Sequence, residues 1–407
     1  MGASSAMAAG KAKYSYLDYA ATAPLCEEAA NAMAPYFAAG PANMQSSANA
    51  NSLHTPGRNA FNALEQARRD ISRAIGARKP DELIFTSGAT EADNLALFGL
   101  AHAAVEQRKK QGRAPSSPRI ISTEIEHDAV LNPAKRLSRE GFDVVFLRPT
   151  RHGFITEEAL QDALTSDTVL VSIQTANAEI GSIQRIAALA AHAHAAGAVF
   201  HTDATQALGK IPFNVTKLDV DAASFSSHKV YGPKGVGALY VRTRTPISAQ
   251  MLGGGQESAR RSGTQNVPGV VGFAAAVCAT CDSLDAENAR LTALRDHLYA
   301  RIDEIEGVNA TVGVGREGES FMPGIVHLLV DGFESETLIL RLDAKGFAVS
   351  GGSACASHSL EPSHVLLSMG VSRNAALGAL RISFGRYTTI DELDAFADAL
   401  NACIHSA

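Results

Sequence analysis

The stretch from Asp203 to Lys229 gathers side chains able to do chemistry at the ends of two apolar runs. AVFHTDATQALGK holds a run that stops at Asp203 and Gln206, and AASFSSHKVYGPKG holds one that stops at Ser226, His228 and Lys229. If both runs are buried strands of an open parallel sheet, their carboxyl ends face the crevice where such sheets bind ligands. An acid and a lysine would then point at one small molecule. A lysine amine forms a Schiff base with an aldehyde, and a carboxylate keeps a pyridine nitrogen protonated so that the ring withdraws electrons. Together they suggest pyridoxal phosphate. Taken singly, Lys229 reads as a solvated loop lysine and Asp203 as a helix cap.

The elements that must position them follow from hydrophobic periodicity. From Leu83 the chain alternates strand-like runs, ELIFTS, RIISTEIEH, FDVVFLRP, TVLVSIQTAN, AVFHTD, AASFSS and GALYVR, with helical segments between several of them. Strand, crossover and strand in succession predict an α/β fold with a mostly parallel, doubly wound sheet. Several runs end in polar groups that could converge: Thr86 and Ser87, His127, Asn177, Asp203, then Ser226, His228 and Lys229. That repetition outweighs the separate readings of Asp203 and Lys229. After ELIFTS a tight glycine turn opens a helix near Ala89. The first amides of a helix lack internal partners and carry the positive end of its dipole, so Ala89 and Thr90 could hold a phosphate dianion. There is no Walker-type glycine-lysine loop, and Gly235 and Gly237 precede a strand instead of joining one to a helix, so the nucleotide reading is set aside.

Upstream, YSYLDYAATAPL reads as a short strand broken by Pro24, followed by a helix from about Glu27 to Phe37. PANMQSSANANSLHTPGRNA, rich in Asn, Ser, Gly and Pro, reads as a loop whose polar density near Asn49 and His54 suits a substrate approach. Phe61, Leu64, Ala67, Ile71 and Ala74 fall at helical spacing between about Asn59 and Ile75. Downstream come a helix from about Ala286 to Ile305, the strand-like GIVHLLV, the helix ESETLILRLDAKG, the strand FAVSGG and a closing helix from Ile390. That order predicts a smaller α+β domain. The expected division is residues 1–28 joining the small domain, 29–265 as the large cofactor-binding domain and 266–407 as the small C-terminal domain.

Composition narrows the class. With 407 residues, 46% hydrophobic and 19% charged, the chain suits two globular domains. A formal net charge of -6 and a pI near 6.1 give no electrostatic footprint for nucleic acid. MGASSAMAAG lacks the charged start and sustained apolar core of a secretory signal, and GVVGFAAAVCA is too short to span a bilayer, so a cytoplasmic protein without a membrane partner is expected. Five cysteines, Cys26, Cys278, Cys281, Cys355 and Cys403, form an odd and scattered set that argues against a disulfide framework. Cys278 and Cys281 make a CxxC in an alanine-rich helical segment with no second ligand pair, so no metal site is expected.

The motifs TSGATEADN, EHDAVL, NAEIG, HTDATQALGK, SSHKVYGPKG, RSGTQN and GSACASHSLEPSHVL are jointly specific. From about Tyr16 to Thr389 the sequence resembles the cysteine desulfurases of the NifS and IscS type, class V aminotransferase relatives with the fold-type I architecture. The resemblance implies a pyridoxal-phosphate enzyme with Lys229 as its Schiff-base lysine. Asp203 would pair with the ring nitrogen, Gln206 would bond the ring hydroxyl, and His127 would stack on the ring. Ala89, Thr90, Ser226 and His228 would cradle the phosphate, and Thr264 would reach the phosphate in the partner subunit of a homodimer. Arg381 would grip the substrate carboxylate with Asn177 close by.

The resemblance makes Cys355, in the glycine- and serine-rich SGGSACASHSLEPSHVL, the nucleophile that takes sulfur from L-cysteine as a persulfide and leaves alanine. A thiolate is needed for that attack. The implied recipient is an iron-sulfur scaffold protein of the IscU or NifU type or another sulfur acceptor. Selenocysteine lyase or class V aminotransferase activity are the enzyme alternatives, and a non-catalytic sulfur-transfer scaffold is the alternative from another class. The chain departs from the family pattern at Thr175, where a histidine is usual, at Ala178, where a second asparagine is usual, and at Asn49, Ala50, Asn51 and Ser52 in place of Asn-Pro-Ser-Ser.

Overall fold

A computed structural model describes residues 14–313, 320–352 and 361–405. Its strands in chain order are β1 (Ser15–Tyr16), β2 (Leu83–Thr86), β3 (Arg119–Thr123), β4 (Asp143–Leu147), β5 (Thr168–Ser172), β6 (Val199–Asp203), β7 (Ala222–Ser226), β8 (Gly237–Val241), β9 (Val308–Ala310), β10 (Ile325–Val330), β11 (Phe347–Ala348) and β12 (Ala379–Ser383).

Seven of these form one sheet in the order β2-β8-β7-β6-β5-β3-β4. The neighbours from β7 through β4 are parallel, while β8 runs antiparallel to both β7 and β2. Every residue of β2, β5, β7 and β8 is buried, as expected for strands covered on both faces. The single reversal follows from chain length, because the short link between Ser226 and Gly237 cannot return the chain to the other end of the sheet. Apolar clusters cover the two sides of the sheet, one packing on the helix Thr55–Ala74 and the other on the helix Ala89–Lys110.

A second core surrounds the antiparallel sheet β12-β10-β9 and the helices Leu284–Ile302, Ser335–Ala344 and Ile390–His405. Leu17 belongs to it, and β1 pairs in parallel with β11, Ser15 opposite Phe347. The helix Val267–Asp282, although it follows residue 265, contributes Val267, Val270, Phe273 and Val277 to the large-sheet core. The helix expected from about Asn59 begins earlier, at Thr55. There His54 caps it by accepting from the Gly57 amide at 3.2 Å, and Pro56 occupies the first turn. Among the described residues no single helix is long and apolar enough to cross a membrane.

The loop after β8 is held by a buried ion pair. Glu257, Ser258 and Ala259 all have left-handed φ, at 50°, 56° and 60°. For residues with a Cβ this conformation is costly. The Glu257 carboxylate repays it by accepting from Arg68 Nη1 at 2.7 Å, Arg68 Nη2 at 2.9 Å and the Phe85 amide at 3.0 Å. The Arg68 guanidinium also lies 4.5 Å above the Phe85 ring. Removing one partner of a buried pair leaves the other charge uncompensated, so Glu257→Ala is expected to destabilise the chain by about 3–5 kcal/mol in urea unfolding. A loss below about 1 kcal/mol, the range of an exposed pair, would contradict this role.

Candidate active site

The carboxyl ends of the parallel strands open into a cleft of about 520 Å³. Ala89, Thr90, His127, Asp203, Gln206, Ser226, His228, Lys229 and Arg381, all singled out in the sequence, line it. Asn177 and Thr264 are not on its lining, and Cys355 lies outside the described residues.

One wall is a helix start. β2 ends at Thr86, and the chain turns through Ser87 and Gly88 into the helix Ala89–Lys110. Gly88, at the N-cap, makes no side-chain cap bond, which leaves the amides of the first turn open to a ligand. The turn comes close to β7 because Gly237, which pairs with both Thr86 and Ser226, has no side chain. A Cβ on Gly237 would stand 2.7 Å from the Gly88 Cα and 2.5 Å from the Phe225 oxygen. A Cβ on Gly88 would meet only Ser226 Oγ, at 4.0 Å, so the cradle has room. Glu91 in the first turn accepts from the Ser87 amide at 2.8 Å and pairs with Arg261 at 2.6 Å, which offsets its charge beside an anion site.

The floor is β6 and the turn after it. The Thr205 amide donates to Asp203 Oδ1 at 2.9 Å, fixing the carboxylate plane. Beneath, His201 is fully buried between Ser172 Oγ and Ser224 Oγ, 2.9 Å from each, and burial pulls it down to about 3. It is a neutral ring with a hydroxyl on either side. Burial pushes Glu126 up to about 8 against the pull of the Gln174 amide and the Thr123 hydroxyl, and the charge of Asp203 adds to the rise. Burial and then the Asp203 charge push Asp93 well above the ordinary range as well. Both flanking acids are thus biased toward their protonated forms.

His127 caps the helix Asp128–Arg139, its Nδ1 accepting from the Ala129 amide at 3.0 Å, which puts the proton of the neutral ring on Nε2. His228 lies 3.1 Å from the Thr22 hydroxyl, and burial, with the nearby Lys229 charge, pulls it down to about 4. The residue after this neutral histidine is Lys229, whose amine donates to the Ala20 and Ala21 carbonyls, both at 2.7 Å. Gln206 Nε2 donates to the same Ala20 carbonyl at 2.9 Å. Lys210 donates to Gln206 Oε1 at 2.7 Å, and burial, then the charges of Lys229 and Arg381, pull its amine down to about 7.

Arg381 comes from β12 and is almost wholly buried. Its Nη2 donates to Asp18 at 2.7 Å and its Nη1 to the Ala178 carbonyl at 3.0 Å, while Nε meets no hydrogen-bond partner among the described residues. The Asn177 carboxamide closes the adjacent turn, accepting from the Glu179 and Ile180 amides and donating to the Ile125 carbonyl. The Thr175 hydroxyl lies 2.8 Å from the Thr202 hydroxyl. The Glu179 carboxylate accepts from Ser363 Oγ at 2.5 Å, and a Cβ on Gly352 would come within 3.3 Å of it. The two flanks of residues 353–360 therefore meet beside Arg381.

Sequence reasoning did not single out Asp18, Thr22, Glu91, Asp93, Glu126 or Lys210. Glu91 carried a signal, an acid in the first turn of a helix. Asp18 and Thr22 sat in the quoted YLDYAATAPL, with nothing local to tie them to Arg381 or His228.

The sequence profile of the aminotransferase class-V family matches residues 15–396. The chain is 42% identical over 389 residues to the cysteine desulfurase IscS of Dictyoglomus turgidum, covering 96% of this chain and 94% of that one. Among solved structures, a NifS-like protein superposes with a TM-score of 0.84 at 34% identity, over 95% of this chain and 98% of the other. SspA in complex with cysteine does so with 0.77 at 31% identity, over 92% and 100%. The chain belongs to the aminotransferase class-V family and stands among its cysteine desulfurases. Enzymes of this family work with pyridoxal phosphate, and the donor set fits that group: an amine for the aldehyde, a carboxylate for the ring nitrogen and open helix amides with room at Gly88 for the phosphate.

The flanking acids have a consequence for stability. Because the Glu126 value in the folded chain is about 8 against 4.5 when unfolded, the folded chain keeps a proton through that window that the unfolded chain has lost. Stability contributed by the protonated acid is therefore lost as pH rises from about 4.5 toward 8. Glu126→Gln is expected to flatten this fall by up to about 1.4 kcal/mol per pH unit in urea unfolding across the window. An unchanged slope would show that Glu126 is ionised in the folded chain.

Proposed function

We propose that the chain is a pyridoxal-phosphate-dependent cysteine desulfurase that converts L-cysteine to L-alanine and takes the sulfur as a persulfide on Cys355. The observation that carries this reading is the cleft, where the Lys229 amine, the Asp203 carboxylate and an uncapped helix start share a single cavity with Arg381. The relatives support the substrate: the IscS protein is named a cysteine desulfurase, and SspA was solved with cysteine.

When bound, pyridoxal phosphate supplies an aldehyde that joins an amino group and a ring that draws electrons from the adjacent carbon. Asp203 is the carboxylate for the ring nitrogen, Gln206 the partner of the ring hydroxyl, and His127 the ring-facing imidazole with a proton on Nε2. Ala89 and Thr90 amides, Ser226 and His228 hold the phosphate. His228 does so as a neutral hydrogen-bonding group, its charge suppressed by burial. Thr264, exposed after Gly263, reaches the corresponding phosphate of the partner subunit in a homodimer. Lys229, held between two backbone carbonyls, is placed to take and return the proton at the substrate carbon beside its amine. Arg381, on the lining of the cleft, binds the substrate carboxylate, with the Asn177 turn alongside.

The Cys355 thiolate attacks the substrate sulfur. A sulfur-sulfur bond forms as the carbon-sulfur bond breaks, the electron pair stays with the substrate carbon, and a proton completes alanine. Burial pushes the other thiols, Cys26, Cys278, Cys281 and Cys403, above their ordinary range, so none of these is a ready thiolate. The persulfide then passes to an acceptor, an iron-sulfur scaffold of the IscU or NifU type being the class that suits the IscS relatives.

The test is release of alanine and sulfide from L-cysteine with a thiol reductant. Cys355→Ser is expected to lose both by at least about 100-fold while keeping the visible absorption of the bound cofactor. A variant that releases alanine at the normal rate would remove Cys355 from the reaction.

A further inference from the structure

Asp203, Gln206 and Lys210 lie on one short stretch, and the proposed function uses only the first two. After β6 the chain makes consecutive helical turns, with the Leu208 amide bonded to the Ala204 carbonyl and the Ile211 amide to the Ala207 carbonyl. Residues four apart then share a face, which sets Lys210 beside Gln206. Gly209, at φ +67°, lets this turn pack against the residue that follows Lys229. A Cβ there would stand 2.5 Å from Val230 Cγ2 and 2.8 Å from Thr280 Cγ2. The turn is thereby pressed against the strand end that carries the reactive lysine.

The bonds form one chain. Lys210 Nζ donates to Gln206 Oε1 at 2.7 Å, Gln206 Nε2 donates to the Ala20 carbonyl at 2.9 Å, and Lys229 Nζ donates to that carbonyl at 2.7 Å. A carboxamide left alone turns over easily, exchanging an acceptor for a donor. Here the carbonyl of Ala20 can only accept, so Nε2 must face it, and the amine of Lys210 then meets Oε1. Gln206 is nearly fully buried, so an unpaired Oε1 would carry a desolvation penalty.

We propose that Lys210 is a positioning residue of the cofactor site, which fixes the Gln206 carboxamide so that an N–H, and not the carbonyl, is offered to the ring hydroxyl of the cofactor. A ring oxygen that carries negative charge requires a donor, and Gln206 has one amide hydrogen left after the Ala20 carbonyl is served. Lys210 does this without lining the main cleft. Its other side faces a cavity of about 40 Å³ bounded by Tyr19, Asn288 and Ser383.

This inference rests on the reading of the cleft as a pyridoxal-phosphate site, and the experiment separates the two. Lys210→Met, Lys210→Arg, Gln206→Ala and the double variant Lys210→Met with Gln206→Ala are purified, loaded with pyridoxal phosphate and compared with the wild type. The readouts are the position of the visible absorption band, retention of cofactor on dialysis and the thermal midpoint of the unloaded protein. Lys210→Met is expected to shift the band in the same direction as Gln206→Ala and to hold the cofactor about 10-fold more weakly, the effect of one lost buried hydrogen bond. Lys210→Arg, which keeps a donor, should recover most of both, and guards against a folding defect in the methionine variant. The double variant should be no worse than Gln206→Ala, because Lys210 acts through Gln206. A lowered midpoint with band and retention unchanged, or effects that add in the double variant, would overturn the proposal. A wild type that takes up no cofactor would overturn the function itself along with it.

Discussion

The cleft depends on a short segment far from it in sequence, Asp18 to Thr22, which is the common hydrogen-bonding partner of Arg381, Lys229, Gln206 and His228. Asp18 pairs with Arg381, the Ala20 and Ala21 carbonyls hold Lys229, the Ala20 carbonyl also takes Gln206, and Thr22 meets His228. The segment is itself fixed, since the Ala20 amide donates to Ser383 Oγ at 2.9 Å and β1 pairs with β11. Lysine and arginine amines in a partly dry cleft repel one another and resist desolvation. Backbone carbonyls and one carboxylate answer both problems while leaving the amine of Lys229 available to exchange partners. The strands β6, β7 and β12 supply the reactive groups, and the N-terminal segment sets where they can point.

A second constraint lies below the floor. Three acids, Asp93, Glu126 and Asp203, approach one another under the sheet ends, where burial first and then the Asp203 charge raise Asp93 and Glu126. Burial raises Asp93 and Glu126 beneath the floor, while Asp203 is the acid of the three that is singled out to face the ring nitrogen. His201, kept neutral by burial and flanked by two serines, adds no positive charge beneath Asp203. The phosphate side follows the same economy of charge, with Glu91 offset by Arg261 and a neutral His228 beside open amides.

Much of this was legible in the sequence because period and residue type coincide. Seven apolar runs became the seven strands of the large sheet, and polar residues at their carboxyl ends marked the cleft. The antiparallel β8 follows from the brevity of the link before Gly237, a matter of chain reach that residue types do not announce. Three successive left-handed residues at Glu257 to Ala259 carry no glycine to advertise them, because a buried pair with Arg68, 189 positions away, holds them. Asn177 was expected near the substrate. Its carboxamide closes the turn that carries Ala178 and Glu179, a local bond pattern that residue type and spacing did not reveal. The Asp18–Thr22 segment was invisible for a related reason, since its worth lies in contacts with residues up to 363 positions away.

The proposed site makes Lys229, and not its neighbours Lys210 or Lys234, the amine that takes the cofactor. Borohydride reduction of the protein loaded with pyridoxal phosphate, followed by mass mapping of peptides, locks the cofactor onto whichever amine holds it. The added mass is expected on Lys229 alone. Mass on Lys210 or Lys234, or no incorporation into any lysine, would contradict it.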